Sequence, residues 1–212
     1  MDTSTLNQIA DLVRIENTPK EDYLDLCHRK LRRLYPHHEL HGEHCSLQEF
    51  VACPPTAVFN YLAQTESLLE WTYSLRNLTT TDKPGLVMFG DKIGGTTKCY
   101  CRTESDSAAM TVDYHCAWDQ SDKLWMIYYM RVIDSQPVLN QAGSIVTWTN
   151  CCHPYYKENP FPELAAPDRS VWVGDGWSFF YSGHQMELTN LKMILEYRQA
   201  KGISLTDLSH LK

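Results

Sequence analysis

Along the last part of the chain, apolar residues recur at helical spacing. At roughly 100° of rotation per residue, Trp177, Tyr181, His184, Leu188, Leu191 and Leu195 fall on one stripe, with Phe180 and Glu187 on its shoulder. The pattern predicts one long helix over Asp175–Lys201, with Asp175 as N-cap and Gly202 as a left-handed stop. The opposite side is apolar too, through Phe179, Met186, Met193 and Tyr197, so two separate surfaces must cover this helix. At the other end, Leu6, Ile9 and Val13 predict a short helix that Asn17-Thr18-Pro19 ends. Thr18-Pro19-Lys20-Glu21 then has the form of a capping box with Pro at the first helical position, followed by the stripe Leu24, Cys27, Leu31 and Leu34. This hairpin cannot bury its apolar face alone. The second stripe of the long helix is its expected docking surface, and a homodimer contact is the competing use.

The middle of the chain alternates with the period of strands. Cys45–Cys53 is a strand stopped by Pro54-Pro55, after which Pro55–Leu62 opens a short helix and Ser67–Trp71 another turn. Further strands are predicted at Ser74–Thr80, Leu86–Gly90, Thr96–Thr103, Met110–Trp118, Leu124–Ile133 and Ser144–Cys152, separated by turn signals such as Lys83-Pro84-Gly85 and Gly94-Gly95. Short connections imply an antiparallel meander. The inward sets are Val112, Tyr114, Cys116 and Trp118, then Leu124, Met126, Tyr128, Met130 and Val132, then Val146, Trp148 and Cys152. From His153 to Pro167 no periodicity is visible, and a loop of that length is a candidate lid. Gly174 and Gly176, bracketed by Trp172 and Trp177, suggest a hinge at its end.

Composition narrows the function classes. The 212 residues, 43% hydrophobic, suit one core plus an extension, with a division at 1–41 and 42–212. A net charge of −7 disfavours nucleic acid as a partner, because phosphate binding needs clustered Lys and Arg. The cluster of His28, Arg29, Lys30, Arg32 and Arg33 reads as a solvated helix face. No apolar run approaches the roughly 20 residues of a membrane span, so no integral membrane segment is expected. Met1-Asp2-Thr3-Ser4 lacks the signature of a secretory signal, which points to the cytoplasm and to eight reduced cysteines.

The order of elements resembles the START-like helix-grip superfamily, which includes lipid-transfer domains and polyketide cyclases or aromatases. The resemblance is carried by Val51-Ala52-Cys53-Pro54-Pro55-Thr56-Ala57-Val58-Phe59, by Glu70-Trp71, and by the run from His184 to Glu196. It spans about Gly42 to Gly202; the N-terminal hairpin and the long loop depart from its minimal pattern. It implies an α+β fold in which a curved antiparallel sheet wraps the C-terminal helix around a mostly apolar cavity.

In such a fold the cavity wall would be built from Tyr114, Trp118, Met126, Tyr128, Met130, Trp148 and Trp177, with Arg76 a candidate for binding a carboxylate or enolate. The competing reading makes the aromatics plain core and Arg76 a surface ion pair. His184 is the candidate acid or base, with Tyr181 and Glu187 one turn away on either side; a satisfied core histidine is the alternative. Two function classes follow: a cofactor-free cyclase or dehydratase acting on a hydrophobic small molecule, and a non-catalytic lipid or aromatic-ligand carrier. No metal is expected. His37, His38, His41 and His44 read as a solvated connector, and Cys99/Cys101 and Cys151/His153 lack paired knuckle spacing. No P-loop, G-x-S-x-G elbow or dinucleotide fingerprint stands at a strand–helix junction.

Overall fold

The computed structural model describes residues 3–34, 44–165, 173, 177 and 179–211. Seven strands form one antiparallel sheet: β1 (His44–Val51), β2 (Leu75–Thr80), β3 (Val87–Asp91), β4 (Thr97–Asp106), β5 (Thr111–Trp118), β6 (Met126–Asp134) and β7 (Ser144–Cys151). The order is β1-β7-β6-β5-β4-β3-β2, a six-strand meander with β1 added beside β7. The sheet is curved and unclosed. A bulge in β2 between Arg76 and Thr79, with Asn77 at φ 57°, bends one edge. The α-helices among the described residues are α1 (Thr3–Leu6), α2 (Lys20–Leu34), α3 (Pro55–Leu62), α4 (Leu68–Trp71), α5 (Gln136–Leu139) and α6 (Phe180–Lys201). The architecture is the expected helix grip. No helix among the described residues is long and apolar enough to cross a membrane.

Strand alternation sorts the faces as anticipated: Val112, Tyr114, Cys116 and Trp118 are buried, as are Met126, Met130 and Val132, and Val146 and Trp148. The polar Asn150 continues the inward set of β7 and is completely buried. All eight cysteines are free thiols. Helix α6 ends at Gly202, left-handed at φ 65°; Asp175, its expected cap, lies outside the described residues, as do Trp172, Gly174 and Gly176. The loop after β7 carries two single turns, Pro154–Tyr156 and Pro162–Leu164.

The first predicted helix is a single turn, α1. Beyond it, the Asn190 side chain of α6 occupies both backbone groups of Val13: it accepts from the N–H at 3.1 Å and donates to the C=O at 2.7 Å. Those groups are no longer available to a helical ladder, so Ile9 and Leu12 are buried from irregular chain. Helix α2 lies against α6, where Cys27 meets Met186 and His28 meets Phe179 edge-on. Met193 and Tyr197, from the same outer stripe, pack instead at the margin of the main core. Tyr23 of α2 stacks on Tyr73 with ring centroids 3.6 Å apart.

The C-terminal half of α6 is fastened by a buried charge cluster. Arg198 donates to both carboxylate oxygens of Glu70 at 2.8 and 3.0 Å, with both side chains fully buried. Tyr61 donates to Glu70 at 2.7 Å, His210 lies 3.0 Å from it, and the Leu205 carbonyl accepts from Arg198. Removing one partner strands the other charge in the interior, at a cost of about 3–5 kcal/mol. Arg198→Met is expected to lose stability on that scale in urea denaturation. The double variant Glu70→Gln/Arg198→Met should recover part of it.

Candidate functional site

Between the concave face of the sheet and the first turns of α6 lies a cavity of about 230 Å³. Engineered cavities of about 150 Å³ accept benzene, so this one suits a molecule of about ten non-hydrogen atoms. Strands β5, β6 and β7 supply Tyr114, Trp118, Met126, Tyr128 and Trp148 to one wall. Gly183, His184 and Glu187 of α6 face them, Leu68 and Trp71 of α4 contribute further apolar surface, and Tyr23 and Leu24 come from α2. Gly183 makes room for α2: a Cβ there would sit 3.1 Å from the Tyr23 hydroxyl.

His184 stands in an aromatic box. Its ring stacks on Trp148 at 4.3 Å and meets Phe180 and Tyr128 at 4.6 and 5.6 Å. The hydrogen-bond partner of Nδ1 is the Asn150 side-chain amide at 2.8 Å, not Glu187 or a backbone carbonyl. With that amide donating, the imidazole proton belongs on Nε2. Burial drives its pKa down to about 3, so the ring is neutral at ordinary pH.

Glu187, one turn further along α6, is shifted the other way. Burial raises its carboxyl to about 7, opposed by the Tyr73 N–H, which donates to Oε1 at 2.8 Å; nearby Asp91 adds to the rise and Arg76 resists it. Asp91, at the end of β3, accepts from the Ser74 hydroxyl at 2.7 Å, from the Ile93 N–H at 3.0 Å and from Trp118 Nε1 at 3.1 Å. Tyr73 and Ser74 are consecutive, so the two carboxyl groups lie at the same end of the cavity.

Other anticipated site residues fall elsewhere. The Tyr181 hydroxyl donates to the His44 carbonyl at 3.3 Å, on an exposed side of α6 beside β1, so it does not join His184 in the cavity. Met130 is buried in solid core beyond the cavity. Trp177 packs on Tyr156 and Phe180, behind the wall. Arg76 is neither in the cavity nor at a free surface: its fork holds Glu16, with Nη2 to Oε2 at 2.8 Å, and it also donates to the carbonyls of Thr72, Tyr73 and Leu75. Tyr114 lines the cavity, but its hydroxyl donates to the Leu62 carbonyl at 2.6 Å. His37, His38 and His41 lie outside the described residues, among which no group of three or more His, Cys, Asp or Glu is placed to hold a metal.

Asn150, Asp91, Ser74 and Tyr23 are the site residues that sequence reasoning misses. Asn150 carried a signal, since it shares strand parity with Val146 and Trp148. Asp91 carried the same kind of signal, because it shares strand parity with the buried Phe89; Tyr23 carried none, because the docking of α2 places it.

The two shifts oppose one another in stability. The carboxyl of Glu187 lies above its ordinary 4.5, so folded protein keeps a proton that the unfolded chain has lost, and stability falls as pH rises from 4.5 to about 7. His184 lies below its ordinary 6.5, so the unfolded chain takes up a proton that the fold refuses, and stability falls as pH drops from 6.5 towards about 3. Each slope is about 1.4 kcal/mol per pH unit, and they cancel where the windows overlap. Relative to wild type, Glu187→Gln should therefore add a rise of stability with pH between 4.5 and 6.5, and His184→Gln a fall. Urea midpoints across that range read both; parallel curves for the three proteins would contradict the assignment.

No family model matches the sequence, nor does any curated protein. Solved structures do resemble it in fold. XoxI from Bacillus cereus superposes with a TM-score of 0.51 at 12% identity, over 72% of this chain and 95% of its own. A START superfamily protein from Mycobacterium smegmatis gives 0.50 at 10% identity, over 74% and 99%. The di-domain ARO/CYC BexL of the BE-7585A biosynthetic pathway gives 0.50 at 14% identity, over 74% of this chain and 48% of BexL. With its open sheet gripping one long terminal helix, the chain carries the START-like helix-grip fold.

Proposed function

We propose that the cavity binds a small, largely apolar molecule and that the protein is a cofactor-free enzyme of the cyclase or dehydratase type. Likeness of fold does not assign chemistry; the reading rests on the site. The observation that supports it is a carboxyl in an aromatic cavity, Glu187, whose proton affinity has been moved to about neutral pH. A group that titrates at the working pH can both remove and return a proton. This shifts the acid/base role from His184 to Glu187. Neutral His184 is suited instead to donate from Nε2 to an oxygen on which negative charge develops, as preorganised donors do in enolisation and aldol chemistry.

Native mass spectrometry of the protein as isolated, followed by identification of any small molecule released on denaturation, gives the ligand from which a substrate is chosen. With that substrate, Glu187→Gln is expected to retain binding and lose turnover by about 10²–10⁴-fold. His184→Gln should lower kcat by a smaller factor, because the amide still offers a donor. Unchanged product formation in Glu187→Gln removes the acid/base assignment. Binding without turnover of any candidate would instead favour the carrier reading.

A further inference from the structure

The cavity separates two hydrophobic clusters. The main core, with Tyr114, Trp118 and Trp148, lies on the sheet side; Tyr23, Cys27, Tyr73 and Met186 form a second, smaller cluster with Ile93 and Phe179 packed against it. Of that second cluster, Tyr23, Ile93 and Phe179 line the cavity. The N-terminal segment, which departs from the minimal helix-grip pattern, thus supplies part of the boundary on this side.

Tyr23 spans that boundary. Its ring stacks on Tyr73, which stands between the lining residues Thr72 and Ser74, with centroids 3.6 Å apart and planes within 10° of parallel. Its hydroxyl meets the Cys27 thiol and reaches α6, where a Cβ at Gly183 would stand only 3.1 Å away. A glycine inside a helix lowers helix stability, and here it leaves room for that hydroxyl. The first turn of α2, which carries Tyr23, is fastened on several sides. The Thr18 carbonyl accepts from the Tyr73 hydroxyl at 2.8 Å, the Ile93 carbonyl accepts from the Lys20 ammonium at 3.2 Å, and the Tyr23 N–H donates to the Pro19 carbonyl at 2.9 Å. Tyr23 itself is only 6% exposed. A ring stacked on one element, in contact with a second and carried by an anchored turn does not retreat before an incoming ligand.

We propose that Tyr23 is a specificity-determining residue, the end wall that limits the ligand to a compact body of about ten non-hydrogen atoms. The proposal rests on the cavity-binding reading above and adds the residue that sets ligand length. An apolar ligand gains about fourfold in affinity for each methylene it buries. In a close-packed interior that gain ends where the next carbon meets an unyielding wall. Shortening Tyr23 opens space bordered by Cys27, Tyr73 and Met186, all buried, so that the added carbons of a longer ligand stay out of water.

The test uses the full chain and a series of uncharged probes that differ by one methylene, the ω-phenyl-1-alkanols from benzyl alcohol to 6-phenyl-1-hexanol, titrated by calorimetry. In the wild type, affinity is expected to rise about fourfold per methylene as far as 3-phenyl-1-propanol, and then to level or fall. Tyr23→Ala should move that break to probes longer by about two carbons or more, and Tyr23→Leu by about one. Tyr23→Phe, which keeps the ring, should leave it in place. A variant that only loosened the fold would weaken every probe alike without moving the break. Where Tyr23→Ala is too destabilised to titrate, Tyr23→Leu decides. A break at the same length in both shortened variants, or affinity that climbs through the whole series in the wild type, overturns the assignment of Tyr23 and leaves the cavity-binding reading standing. Failure of every probe to bind overturns both.

Discussion

The buried pair between Glu70 and Arg198 sets the position of α6, and the site depends on that position. A charge pair with no solvent access to either side chain is stable only when nearly every valence is met, and here Tyr61, His210 and the Leu205 carbonyl surround it. Glu70 belongs to α4 and Arg198 to the last turn of α6, so the pair ties the far end of the helix to the segment that leads into β2. Above it, Leu188, Leu191, Ile194 and Leu195 are completely buried and fill the middle of the grip. Above these, the helix presents Gly183, His184 and Glu187, and a space remains. The cavity is thus the unfilled upper part of a core whose lower part is closed by charge and packing.

One cause, removal from water, acts in opposite directions on His184 and Glu187. In solvent, a histidine and a glutamate one turn apart would form an imidazolium–carboxylate pair. Inside the grip both neutral forms are favoured, and each side chain turns to a different partner: Asn150 on β7 for the imidazole, the Tyr73 N–H for the carboxyl. The helix therefore holds a donor and a titrating acid facing the same space without having them neutralise each other. In the proposed reaction that separation would let one stabilise charge while the other moves a proton.

Much of this architecture was legible in the sequence. The strands were readable to within a few residues because alternation with period two is imposed by burial of one face, and the buried parity of Tyr114, Met126 and Trp148 follows directly. The long helix and its Gly202 stop were equally plain. What could not be read depends on distant partners. Val13 loses its helix because Asn190, far away in sequence, takes both of its backbone groups. Tyr181 shares a stripe with His184 on a helical wheel, yet its offset is enough to bring it beside His44 rather than into the cavity. Arg76 is recruited by Glu16 only because the N-terminal segment folds back over β2.

That fold-back changes what the N-terminal residues are. Docked on α6 and stacked on Tyr73, helix α2 lends Tyr23 and Leu24 to the cavity. The Tyr73 hydroxyl donates to the Thr18 carbonyl, while Arg14 donates to the Leu69 carbonyl. Tyr73 therefore does two things at once: its ring and hydroxyl bind the N-terminal segment, and its N–H steadies the Glu187 carboxylate. A displacement of α2 would reduce the burial that raises the proton affinity of Glu187 and would move the residue whose N–H opposes that rise. The segment added to the helix grip is thus coupled to the proton affinity of the site by burial and by one backbone donor.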